Sequence, residues 1–135
     1  MTTIARVFFW GYTAMLLGVG ASGIFVARWE LTHVFSMPLV AGTTITATML
    51  NQYRFLKAME FAFGVFCATS HRQIFCHTRE NTVFLAGVFA GVGARLLGWS
   101  VDGTPHIAFV IFAVLELITG LLVWASVRCP LRFAT

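Results

Sequence analysis

Between Gly87 and Glu116 the chain reads GVFAGVGARLLGWSVDGTPHIAFVIFAVLE. Two apolar runs are joined by a short polar turn, with Arg95 sunk in the first run and Glu116 in the second. Runs this apolar call for a membrane, and an ionised side chain at membrane depth is tolerated only against protein, water or a partner charge. The rest of the chain has to supply that setting.

Composition agrees. Of 135 residues, 59% are hydrophobic and 10% charged, and the mean hydropathy is +0.85, too apolar for a soluble domain. The expectation is a single transmembrane domain over residues 1–135, all-α, an integral membrane four-helix bundle. A net charge of +4 would ordinarily suggest nucleic acid. Here the nine Lys and Arg gather mostly at helix ends, where membrane topology accounts for them, so no nucleic-acid partner is expected.

The first span runs from about Ile4 to Ala27, with no charge between Arg6 and Arg28. That length crosses a hydrocarbon core of roughly 30 Å. Its start has the form of a signal peptide with Gly20-Ala21-Ser22-Gly23 as a small-residue exit, but it is read as a span. Gly11, Gly18 and Ser22 are expected to share the face on which a neighbouring helix approaches. Residues 30–50 carry Pro38, Gly42 and the threonines Thr43, Thr44, Thr46 and Thr48, a poor continuous transmembrane helix. An interfacial or re-entrant segment is expected there, with Asn51 as the polar entry to the next helix. The remaining spans are placed at about 52–70, 82–99 and 106–127, and Gly87-x-x-x-Gly91 gives the third a small-residue strip.

Four spans put both termini on one side, together with the connection HRQIFCHTRE. That side collects Arg6, Arg72, Arg79, Arg128 and Arg132, against Arg28, Glu30 and Asp102 opposite. The positive-inside rule makes both termini cytoplasmic. Cys67, Cys76 and Cys129 fall near that side, so free thiols are expected. The localisation this implies is a cytoplasmic membrane, crossed several times.

Arg54, Lys57 and Glu60 occupy an arc of about 120° on an ideal helix and can face the bundle interior together. With Arg95, Asp102 and Glu116 they make six formal charges that cancel, as low dielectric demands. Two readings stay open: a network that glues the bundle and fixes its register, or a pocket for a polar headgroup, a small molecule or a proton path. A third has Arg54 and Lys57 snorkelling to headgroups. Arg95 needs an acceptor for its planar fork and is expected to bond Glu60, Glu116 or both, with Asp102 the weaker candidate.

The series Asn51-x-x-Arg54, Gly64, Gly93-x-Arg95, Asp102-Gly103-x-Pro105 and Glu116 resembles an uncharacterised bacterial family of short four-span membrane proteins, a domain of unknown function. The resemblance covers most of the chain and is most specific in the last two spans. It implies the architecture and no activity. The layout is also similar to the DoxX-like proteins.

The four histidines, His33, His71, His77 and His106, sit at helix ends or in loops, away from the mid-span positions of haem or pigment ligands, so no cofactor is expected. His71, Cys76 and His77 gather in one connection, but their spacing matches no zinc pattern and no metal is assigned. No Ser-His-Asp or nucleotide-binding pattern is present, and no catalytic residue is assigned. The arginine, asparagine and glutamate motif of short four-span glutathione-transferring enzymes is also missing around Arg54 and Glu60. Fourteen phenylalanines suit lipid exposure; alternatively Phe8, Phe9, Phe61, Phe63, Phe66, Phe109 and Phe112 include a surface for another membrane protein or a second copy. The reading leans against an enzyme. It favours a structural, accessory or self-associating membrane subunit, with lipid or small-molecule binding or transport in the outer half of the bundle as the alternative.

Overall fold

A computed structural model describes residues 2–128; Cys129 and Arg132 lie outside the described residues. The described chain is helical: α1 (Thr2–Trp29) running into a π-helical turn (Glu30–Val34), α2 (Thr44–Thr69), a short α3 (His71–Ile74), α4 (Arg79–Asp102) and α5 (Ile107–Arg128). Three stretches are long and apolar enough to cross a membrane: Thr3–Val34, Arg79–Asp102 and Ile107–Arg128. α2 is 26 residues long but carries Arg54, Lys57 and Glu60 in its middle turns and is not among them. Apolar side chains project outward from these helices, Phe25 at 83% and Val101 at 72% exposure. Water would penalise such a surface and lipid would not.

α2 begins at Thr44, well before the expected start near Gln52, so Asn51 lies inside the helix. The threonines that argued against a helix instead start it. The Thr46 amide donates to Thr43 Oγ1 at 3.2 Å, as at an N-cap, and Thr48 Oγ1 donates back to the Thr44 carbonyl at 2.8 Å, as threonine can within a helix. Before it the chain turns through Ser36 (φ 53°) and Gly42 (φ 79°), the second a conformation that suits glycine.

The chain divides into two compact units. One holds residues through Tyr12 and those from Cys67 onward. Its centre is Phe9, fully buried, with ring centroids 5.3 Å from Phe75 and 5.5 Å from Phe84. Phe9 therefore belongs to the interior and not to an outer contact surface. Asn81 Nδ2 donates to the Ile74 carbonyl at 2.6 Å, tying the end of α3 to the start of α4. α4 packs on α5 at Gly120, where an added Cβ would stand 3.0 Å from Val88 Cγ1.

The other unit is Thr13–Phe66. Here α1 and α2 meet backbone to backbone: a Cβ on Gly20 would lie 2.7 Å from the Phe61 amide nitrogen. One on Gly23 would run into the Lys57 stem, and one on Gly64 would lie 3.0 Å from Leu17 Cγ. The expected contact face was Gly11 and Gly18, yet both are open, with nothing within 4 Å. Gly20 lies two residues beyond Gly18, about 200° around the helix, so the contact uses nearly the opposite face. Ala27, Leu31 and Leu50 form a buried cluster beside Phe35, Leu39, Met49 and Tyr53. α1 departs from helical geometry at Val26 (φ −107°, ψ 23°), and the π-helical turn follows.

Candidate functional site

The expected charges fall into separate groups. In the first unit, Arg95 of α4 donates to Glu116 of α5 through both arms of its fork. Nε reaches Oε2 and Nη2 reaches Oε1, each at 3.1 Å. The Glu116 side chain is 8% exposed and that of Arg95 28%, so the carboxylate is held inside and the guanidinium closes it from outside. Two parallel bonds from a planar fork give geometric specificity that a lysine could not. The Phe109 ring lies 5.9 Å from the guanidinium carbon. Gly91, one turn before Arg95, leaves the carboxylate its room: a Cβ there would be 3.7 Å from Glu116 Oε2. Thr119, one turn past Glu116, is fully buried and its hydroxyl has no hydrogen-bond partner among the described residues. Asp102 is exposed at the end of α4 and makes no ion pair among the described residues.

In the second unit, Lys57 is buried and its Nζ donates to Glu60 Oε2 at 2.8 Å, one turn along α2. Its ammonium also lies 5.3 Å from the Tyr53 ring centroid, within cation–π range. Arg54 pairs with no carboxylate among the described residues; its Nε donates to the Ile24 carbonyl at 3.3 Å, two residues before the break at Val26.

Sequence reasoning missed the hub of this second group. Glu30, counted above only among the charges opposite the termini, opens the π-helical turn. Its Oε1 accepts from Ser22 Oγ at 2.8 Å and its Oε2 from Tyr53 Oη at 2.7 Å. Ser22 and Glu30 are eight residues apart on one apolar helix, the spacing of two turns on one face; that period was the available signal. Tyr53 joins the two halves, giving its hydroxyl to Glu30 and its ring face to Lys57. Lys57 fits there because Gly23 has no side chain to occupy the space.

Of the polar connection after α2, His71 Nδ1 lies 2.9 Å from the Ala68 carbonyl and its ring packs 5.3 Å from Trp10. Cys76 Sγ contacts the Arg72 carbonyl at 3.4 Å. No three potential ligands among the described residues gather as a metal centre.

Chemically, the arrangement is one of matched donors and acceptors. The buried Lys57 has Glu60 on its own helix, and the buried Glu116 has Arg95 on the neighbouring one. The second pair ties α4 to α5, and both leave little free valence for a substrate.

A family model described as a domain of unknown function (DUF4345) matches residues 4–126. No curated protein and no solved structure matches the chain.

Proposed function

The chain belongs to this family of unknown function, DUF4345, and from that premise we propose that it is a non-catalytic membrane subunit, an accessory or self-associating protein whose internal charges brace its helices. In this reading α2 is the fourth span. Of its charges, Lys57 and Glu60 satisfy each other, and Arg54 donates to the Ile24 carbonyl. The layout is the four-span, DoxX-like one, with both termini on the cytoplasmic side of a bacterial inner membrane. The observation that carries the reading is the bidentate Arg95–Glu116 bond, which commits the two charged side chains at the α4–α5 contact to each other. A catalytic or transport site would be expected to leave at least one of them open to a substrate. The outward apolar side chains then serve lipid and a second membrane chain.

The test is purification of the full chain from its native membrane in a mild detergent, with chemical cross-linking before extraction. A defined homo-oligomer or a stoichiometric membrane partner is expected. A monomer that carries a tightly bound small molecule and no second chain would overturn the proposal.

A further inference from the structure

Two arginines of the Thr13–Phe66 unit stand apart from its matched charges. Arg28 in the last turn of α1 and Arg54 in α2 are both exposed, and neither has a carboxylate within ion-pair distance among the described residues. Both border the same two open grooves. One, of about 460 Å³, is walled by Phe25, Val26 and Trp29, with Thr32 and His33 at its rim. The other, of about 490 Å³, is walled by Thr43, Thr44 and Thr46. Hence both cations border an aromatic, apolar trough and a row of hydroxyls.

The local backbone prepares this. Arg54 spends its Nε on the Ile24 carbonyl, which points the fork while leaving the two terminal nitrogens free to donate. Thr32 Oγ1 donates to the Arg28 carbonyl at 2.9 Å, and the His33 ring stacks on Trp29 at 5.3 Å. The break at Val26 and the π-helical turn that follows lie in the same stretch, and such irregularities recur at functional sites.

We propose that Arg28 and Arg54 form a binding site for the phosphate of an anionic phospholipid. The headgroup's hydroxyls would lie toward Thr43, Thr44 and Thr46, and an acyl chain in the trough of Phe25, Val26 and Trp29. Planar guanidinium groups bind phosphate through parallel charge-assisted bonds, and aromatic residues such as Trp29 sit at the depth of headgroups. A free phosphate would satisfy the arginines equally well but would have no use for the apolar trough. The trough is what selects the lipid. The inference adds a ligand to the subunit proposed above and does not depend on its oligomeric state.

The test is native mass spectrometry of the full chain in mild detergent, titrated with dioleoyl phosphatidylglycerol, with dioleoyl phosphatidylcholine, and with inorganic phosphate as competitor. Retained phosphatidylglycerol adducts are expected, with phosphatidylcholine lost on activation. The pair Arg28→Gln and Arg54→Gln should weaken phosphatidylglycerol binding about tenfold. The pair Arg28→Lys and Arg54→Lys, which keeps the charge and protects against a folding artefact, should weaken it less. Arg79→Gln, on the first turn of α4, should leave it unchanged. Equal loss with Arg79→Gln would show general positive charge and overturn the site, as would undiminished binding in the double glutamine variant. Displacement of the lipid by millimolar inorganic phosphate would reassign the site to the free anion.

Discussion

The Tyr53 hydroxyl donates to the Glu30 carboxylate at 2.7 Å, joining the end of the first long helix to the middle of the second. Its partner on the other oxygen is Ser22, two turns back on α1, so one carboxylate fixes both the geometry of the π-helical turn and its distance from α2. Tyr53→Phe removes the donor while keeping the ring that Lys57 faces. A loss of about 1–2 kcal/mol is expected, since a carboxylate oxygen then stands without its partner. Thermal unfolding in detergent reads it. An unchanged midpoint would mean that Glu30 is hydrated and the bond incidental.

Gly20 and Gly18 make a matched pair of controls. Gly20→Ala places a methyl against the Phe61 backbone, which cannot rotate away, and should cost about 1–3 kcal/mol through helix displacement. Gly18→Ala meets open space and should be neutral or slightly stabilising. Equal effects at the two positions would contradict the α1–α2 packing.

Arg95→Ala strands a buried carboxylate without its counter-charge. Because the arginine is partly exposed and pairs inside membranes are worth less than simple estimates suggest, the loss should be roughly 2–3 kcal/mol. Adding Glu116→Gln should recover part of it. The single-variant loss persisting in full in the double variant would show that the loss does not come from a stranded carboxylate charge. At Gly91, Ala should be tolerated, whereas Leu should push the Glu116 carboxylate off its partner and lower stability.

The proposed orientation can be read from a single helix. Arg79 and Asp102 mark the ends of α4, about 36 Å apart at the helical rise, enough to stand on opposite sides of a bilayer. A cysteine placed at Asp102 should react with a membrane-impermeant maleimide in intact cells, and one at Arg79 only after permeabilisation. The reverse pattern would place the termini outside.

The sequence by itself determined the helical class, the need of Arg95 for a carboxylate and three of the four expected spans; α2, expected as a span over about 52–70, is not among the helices long and apolar enough to cross. Each follows from one-dimensional facts: run length against membrane thickness, and an arginine that cannot shed its charge. It could not decide which carboxylate. Glu60 and Glu116 have similar apolar surroundings in the chain, and only the packing of α4 on α5 brings Glu116 into reach of the fork. The same holds for the small residues. Gly11, Gly18, Gly20 and Gly23 are equivalent as letters, and helix rotation about the first axis chose the last two. The threonines at the start of α2 misled for a related reason: threonine disfavours a helix interior yet caps its start, and Thr43 takes the capping place here. Glu30 was invisible as a hub because its partner Tyr53 is distant in sequence. A hydrogen bond between such residues exists only once Gly20 lets the two backbones touch.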